Sequence, residues 1–578
     1  MNELVSKTEV DPHRDDEPRR SIEPVSRLTR HAWLGWFVVS TLILTWPLAA
    51  HLNDALPLGS ERSGTIPYFN LWTFAWNADR LADGYDGYWN APIFHPTSGT
   101  FALSDPQPFT GFLFAAVRNV VGGDVATYNL LFLATVLANG IAAAWLARTL
   151  GCCVTAAALA GLLAQSLPAL AAESGVFQLA GIAPSLVAIG LSIRLARQPR
   201  TSTGLALGSM LVITFLTSAY YGVYTGLLLL PGLAFLLHRI PRRREWRAGL
   251  AAALPILVLL VPWTMQQSSN SIDHDRSADA LVRTSARTFD YAGLPLVTLA
   301  GGRAPWLSTR DDLRVGLYPG TALMALAVVG FLASRRSRRG RRLAAFFAFG
   351  AGLAFVLSLG PRIDGGVAGP YRLLHELVPG FDKMRNTYRF GVFVQVFLLM
   401  LAMLGLREAF RRKHATLAVV CVALGLLEIL PIPRRLVTAP PDRASSSWAQ
   451  GLSQLPDGVA VALPFPQSKR ASAYARTVVD MLYALDHGKP LLNGYSGFLP
   501  KVHREDYPAF ETFPHGDWLA WCERRDVRYV IFDVAWLREN HPNFVPPQAL
   551  AFVTGDATRS VYERVPPPED AQREAGSR

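Results

Sequence analysis

Between His51 and Gly111 the chain carries six carboxylates, Asp54, Glu61, Asp79, Asp83, Asp86 and Asp105, set among aromatic residues. A positioned carboxylate can take a proton from a reacting hydroxyl. Far downstream, "DKMRNTYRF" places Lys383, Arg385 and Arg389 within seven residues, and the guanidinium fork suits bidentate binding of an oxyanion. A third polar stretch, "HGKPLLNGYSG", holds His487, Asn493, Tyr495 and Ser496. Other chemistries lack their motifs: the sequence has no glycine-rich phosphate loop, no Walker pattern, no zinc-type Cys/His spacing and no serine elbow. A lone His95 before Pro96 reads as a loop hydrogen-bonder rather than a metal ligand. The four cysteines, Cys152, Cys153, Cys421 and Cys522, draw no disulfide framework and read as buried thiols.

The solvent in which these residues work follows from composition. Of 578 residues 50% are hydrophobic and only 17% charged, against roughly 25% charged in a soluble domain. Several runs of about 17 or more nearly uncharged residues are long enough to cross a hydrocarbon core. The net charge of +12 lies in short clusters between apolar runs, as in "RRSRRGRR" from Arg335 to Arg342. Such clusters mark the cytoplasmic side of a membrane, and no nucleic-acid recognition motif accompanies them, so nucleic acid is not the expected partner.

The spacing predicts an α-helical polytopic membrane protein of about eleven crossings: 33–50, 126–148, 152–171, 176–196, 203–217, 219–237, 248–265, 319–333, 343–359, 390–406 and 415–430. The polar, charged residues 1–30 read as a disordered cytoplasmic tail, 31–435 as the membrane domain, and 568–578 as a second disordered tail. Two short helices must share Thr203 to His238 with a turn at "SAYYG", because only then do all later arginine clusters fall on one side. Three segments are then left outside: loop 52–125, loop 266–318, and everything past Pro431. There 440–567 alternates strand and helix patterns and reads as an extracytoplasmic α/β domain, with buried strands at "VAVALPF" and "VRYVIFDV". In the first loop, "TIPYFNLWTFAWNADRL" places Tyr68, Trp72, Trp76 and Asp79 on one helical face, which predicts a helix lying at the membrane interface. "FTGFLFAAVRNVV" is a second interfacial candidate, too short to span comfortably.

The order of "NLWTFAW", "APIFHPTSGTFALSDPQP", "LLAQSLPALAAE", "SAYYG", "PGFDKMRNTYRFG" and "DHGKPLLNGYSGFLP" resembles the GT-C superfamily of membrane glycosyltransferases, in particular a broad bacterial group of polytopic GT-C-like proteins, over nearly the whole chain. The resemblance implies an enzyme of the bacterial inner membrane, N-terminus cytoplasmic. It would move a hexosyl or pentosyl group from a polyprenyl-phosphate carrier to an acceptor at the outer face, with a carboxylate of the first outer loop as base. Membrane lipid and a lipid-linked sugar donor are the implied partners; the acceptor stays open. So does a divalent metal, for which no motif is present.

The chain departs from the family at one point. Relatives carry Gly-Asp-Pro shortly before the Asn and Trp of the loop helix, whereas here the stretch is "GTIPYFNLW", with Ile66 before Pro67. The catalytic carboxylate is then sought in Asp79, on the aromatic face, Asp105, locked before Pro106, and Asp54, following the first helix. The competing readings are a solvated charge paired with Arg80 or Arg62 for Asp79, and an Asx turn for Asp105. Arg385, Arg389 and Lys383 are the expected phosphate holders, against ordinary headgroup anchoring. His487, Asn493 and Tyr495 are expected to face the membrane site, against plain turn chemistry. Two alternatives to the enzyme stay open: a GT-C-like scaffold without chemistry, and a transporter or flippase of lipid-linked intermediates, although the crossings hold few ionisable residues, Glu428 among them.

Overall fold

The computed structural model describes residues 27–236, 242–270, 278–292, 316–364, 366–378, 380–429, 433–468 and 470–565. Tail 1–26, the tail past 565 and most of loop 266–318 lie outside the described residues. All eleven apolar stretches fold as helix: α1 (Arg27–Leu44), α4 (Asp124–Thr149), α5 (Val154–Gln165), α6 (Ala183–Arg197), α7 (Thr201–Thr217), α8 (Ala219–Leu236), α9 (Arg243–Asn270), α10 (Thr321–Ser334), α11 (Arg338–Ser358), α12 (Phe390–Arg411) and α13 (Ala415–Ile429). The loop after α1 adds α2 (Thr65–Ala82) and α3 (Pro108–Val121). Among the described residues seven helices are long and apolar enough to cross a membrane, and α3, α7, α10, α13 and the apolar part of α1 are shorter apolar helices. Helix α1 starts at Arg27, inside the stretch expected to be tail.

Helix α12 is apolar on every side and is buried along its length by its neighbours, as a helix without a polar face must be. It crosses α10 at backbone contact. A Cβ on Gly330 would sit 1.9 Å from the Leu401 carbonyl oxygen, and one on Gly405 2.1 Å from that of Leu326, so two glycines permit the approach. The outer helices behave oppositely: Leu250, Leu254, Leu257, Val258 and Leu259 on α9 and Leu417, Leu424 and Leu427 on α13 are exposed. Exposed apolar faces of this kind are what hydrocarbon contact requires.

The chain breaks at Ser218, whose extended backbone (φ −153°, ψ 109°) separates α7 from α8. The basic clusters consequently gather at one end of the bundle. Arg197 donates to the Thr149 carbonyl at 2.7 Å, Arg407 to that of Leu150 at 2.9 Å, and Arg336 pairs with Glu408 at 3.0 Å.

At the other end β1 (Ala55–Pro57), just after α1, pairs antiparallel with β2 (Leu436–Thr438), just after α13. The C-terminal part carries a four-stranded sheet in the order β3 (Val459–Leu463), β4 (Val527–Asp533), β6 (Arg559–Arg564), β5 (Leu550–Gly555), with β3 and β4 parallel and the other pairs antiparallel. Helix α14 (Ala475–His487) leaves this sheet region and packs on α2.

That contact corrects the interfacial expectation for α2. Trp72, Phe74 and Trp76 are all buried, in one core with Tyr474, Tyr483 and Tyr495 of the C-terminal part. Trp72 and Trp76 stack on each other, Phe69 meets Tyr495 edge-on at 5.3 Å, and the Tyr68 hydroxyl donates to the Thr438 carbonyl at 2.7 Å. Each large side chain so buried contributes about 1.5–3 kcal/mol, which an aromatic face lying in lipid headgroups would forgo. Helix α3 does present an apolar exposed edge, at Phe112, Leu113, Val120 and Val121.

Candidate functional site

The site begins where β1 ends. The segment Leu58–Glu61 docks onto the turn after α5: the Ser60 amide and hydroxyl donate to the Ala172 carbonyl at 2.8 and 3.0 Å. Two glycines let the backbones touch. Gly59 has φ +56°, and a Cβ there would lie 2.4 Å from that same carbonyl, while a Cβ on Gly175 would lie 2.2 Å from the Leu58 oxygen. The outcome sets the Glu61 side chain over Gly175, so that a Cβ there would meet Glu61 Cγ at 3.0 Å, beside the buried Glu173. Burial first, and the neighbouring negative charge of Glu173 second, push the Glu61 carboxyl up to about 7, against the pull of Arg389 and Arg385.

Glu173 is held from the other side. Its Oε1 accepts a 2.5 Å hydrogen bond from the Tyr388 hydroxyl, and its Oε2 lies 3.8 Å from Arg389 Nε. Both Oε2 and that Nε are buried without a hydrogen-bond partner, an arrangement that is costly unless a further polar group completes it. The Arg389 guanidinium also lies over the Tyr220 ring, 4.9 Å from its centroid, and the Tyr220 hydroxyl accepts from the Arg385 amide at 3.3 Å. Arg385, Tyr388 and Arg389 come from the turn that opens α12, with Asn386 in the left-handed region at φ 62°. Cationic side chains are thereby added to the positive end of a long helix, a place suited to an anion. The Arg385 guanidinium makes no ion pair within 4 Å among the described residues.

Asp105 reaches the same neighbourhood from the first loop. Its Oδ2 accepts from the Ala219 amide at 3.0 Å and so caps α8 one residue before Tyr220. Burial pushes its carboxyl up to about 7, opposed by the Ala219 and Gln107 amides and by Arg389. The structure therefore brings together Glu61, Asp105, Glu173, Arg385 and Arg389. Lys383 stands partly buried in the loop leading to Arg385.

The other expected site residues lie elsewhere. Asp79 is paired with Arg118 at 2.9 Å and approaches Arg443 at 3.6 Å. Arg443 in turn holds Asp124 and Asp486 at 3.0 Å each, so Asp79 belongs to an ionic latch between loop, bundle and C-terminal part. Asp54 is exposed and pairs with His51 at 3.0 Å. The Asn493 side-chain amide brackets Ala462, accepting from its N–H at 2.7 Å and donating to its C=O at 2.8 Å; it extends the edge of β3. His487 is buried against Trp448, its Nδ1 accepting from the Lys489 amide, and burial lowers its pKa to about 3. Tyr495 is buried between Phe69 and Tyr474. These three pack the core of the C-terminal part.

Glu173, Tyr220 and Tyr388 were not among the expected site residues, and Glu61 was counted with the loop carboxylates but not selected. An acidic residue closing an otherwise apolar run, as Glu173 does in "LLAQSLPALAAE", is the signal that could have found the first. As for a divalent cation, no three His, Cys, Asp or Glu side chains converge among the described residues, and the two glutamates share their surroundings with two arginines. That donor set does not fit the oxygen cage such an ion needs.

In fold this chain is similar to the arabinofuranosyltransferase AftD from Mycobacteria, at TM-score 0.55 and 12% identity over 94% of this chain and 40% of that one. A structure of a variant of the same protein gives TM-score 0.54 and 14% identity over 93% and 41%. ArnT from Cupriavidus metallidurans, solved bound to undecaprenyl phosphate, aligns over 93% of this chain and 98% of its own at 14% identity and a TM-score of only 0.37. The likeness to AftD is one of fold, and the chain spans about two fifths of the length of AftD. It belongs to the family described as domain of unknown function DUF6311, whose match covers residues 86–429 and so takes in Asp105, Glu173, Arg385 and Arg389. No curated protein matches it.

Proposed function

We propose that the chain is a GT-C-type glycosyltransferase that moves a sugar from a polyprenyl-phosphate carrier to an acceptor hydroxyl on the outer face of the membrane, with Glu61 as general base. The observation that carries this reading is the Glu61 carboxyl, raised to about 7 beside two arginines at the end of the bundle opposite the basic clusters. A base poised near the working pH combines availability with proton affinity. The acceptor O–H gives its proton to Glu61, the oxygen bonds to the anomeric carbon, and the C–O bond to the lipid phosphate breaks. The carrier phosphate leaves with the electron pair and is held by Arg385, with Arg389 behind it. Glu173 keeps Glu61 from ionising early and fixes Arg389. Asp105 positions the Tyr220 turn by capping α8, and we assign Asp79 and Asp54 no part in the transfer step. The similarity to AftD, an arabinofuranosyltransferase by name, supports a pentose donor within the hexosyl-or-pentosyl class.

The positive-inside rule supports placing the arginine-rich end in the cytoplasm and the Glu61 end with the C-terminal part outside, with eleven crossings. The deciding experiment is transfer from a radiolabelled polyprenyl-phosphate sugar in membranes. Glu61→Gln is expected to cut turnover by about 10²–10⁴-fold. Retained turnover in that variant would refute the assignment, and movement of labelled lipid between leaflets without any transfer would favour the transporter.

A further inference from the structure

The C-terminal part holds a second concavity, none of whose lining belongs to the Glu61–Arg389 cluster. It encloses about 610 Å³, within the range of roughly 300–1,000 Å³ common to small-ligand sites. It opens beyond the carboxyl ends of the two parallel strands: β3 ends at Leu463, which lines it, and the residues after Asp533 at the end of β4 supply Trp536 and His541. Open sheets with parallel strands hold their ligands in this crevice, because loops diverge there.

Its chemistry is mixed in a specific way. Phe513, Trp536 and His541 form a wall with ring centroids 5.0 to 5.5 Å apart. Among the described residues neither the Trp536 indole N–H nor the His541 ring nitrogens make a hydrogen bond. The exposed Gln467, Ser472, Arg476 and Glu511 supply the other polar groups of the lining. Arg476 approaches Asp533 only at 3.7 Å, and Gln467 spends one N–H on the Phe510 carbonyl, leaving its Oε1 available.

Guanidinium groups only donate and carboxylates only accept, so a ligand serving Arg476 and Glu511 together must do both while offering an apolar face to the rings. An alkyl chain would offer no hydrogen-bond partner to Glu511 or to the Gln467 Oε1, and a phosphate would face Glu511 and Asp533. A sugar meets every condition, since its hydroxyls donate and accept and its C–H face stacks on aromatic rings. We propose that this cavity binds a mono- or disaccharide, with Trp536 as the stacking platform and Arg476 and Glu511 as hydroxyl partners. The proposal concerns binding and stands apart from the transfer reading.

The test is isothermal titration of the full-length protein in detergent with arabinose, glucose, galactose, mannose, N-acetylglucosamine and glucuronate and their disaccharides at millimolar concentration. At least one is expected to bind. Trp536→Ala and Arg476→Ala should each weaken that binding by at least about tenfold, while Trp536→Phe keeps most of it. Arg385→Ala should leave it unchanged, so loss of transfer and loss of saccharide binding are separable. Arg476 is exposed, and its variant keeps the test valid should Trp536→Ala fail to fold. The proposal is overturned if no saccharide binds, if Trp536→Ala and Arg476→Ala both bind as the parent does, or if inorganic phosphate displaces the sugar.

Discussion

Glu61 carries both a chemical and a stability consequence. Its folded pKa of about 7 stands above the ordinary 4.5, so the folded state holds a proton that the unfolded chain has released between those values. The associated stability is fully present below pH 4.5 and is lost as pH rises through about 7. Activity runs the other way, because the base must be deprotonated: transfer is expected to rise with pH through about 7, as a pH–rate profile would show. Glu61→Gln should then unfold at a higher temperature than the parent at pH 8, not at pH 4, while losing transfer; an unchanged midpoint at pH 8 would mean that the carboxyl is not strained. Asp105 titrates near 7 as well, yet Asp105→Asn still offers Ala219 an acceptor and should keep the rise. Asp79→Asn, in an ion-pair network, should retain activity within about tenfold of the parent, given the small worth of partly exposed pairs. Arg385→Ala should raise the KM for the lipid donor by about tenfold or more, the loss expected for a charged hydrogen bond, with Arg385→Lys intermediate.

Among elements, the crossing of α10 and α12 decides whether Arg385 and Arg389 stand where Glu61 can meet them. Gly405→Ile would force a branched side chain against the Leu326 carbonyl, at a cost of at least about 1–3 kcal/mol. Thermal unfolding in detergent should show the drop, and a lower yield of folded protein would accompany it. The latch around Arg443 ties α14 to α4 and α2 through Asp486, Asp124 and Asp79. Arg443→Ala removes the only ion-pair partner of Asp486 among the described residues and leaves Asp79 and Asp124 to Arg118 alone, and limited proteolysis should then release the C-terminal part sooner than in the parent chain.

For the molecule as a whole, the loop after α1 and the C-terminal part share one core and one two-stranded pairing, so they stand on the same side of any membrane. The arginine-rich helix ends lie at the opposite end of the bundle. In a chain with Cys153 replaced by serine, an impermeant thiol reagent applied to intact cells is expected to label Asp457→Cys and to spare Arg339→Cys. The reverse pattern would invert the topology and remove the outer-face reading.

The apolar runs, the arginine clusters and the break at "SAYYG" were legible in residue order, because crossing a hydrocarbon layer is a one-dimensional constraint on length and charge. So were β3 and β4, as short runs of buried apolar residues, and the two arginines that open α12. Glu61 was one loop carboxylate among six until the paired glycines Gly59 and Gly175 set it against Glu173, more than a hundred positions away. The aromatic face of α2 looked fit for lipid headgroups because nothing in a single segment announces that a distant helix, α14, will cover it. Spacing along a chain determines what each helix can dissolve in; which carboxylate lies near which guanidinium is decided by long-range packing, since a pKa depends on neighbours in space.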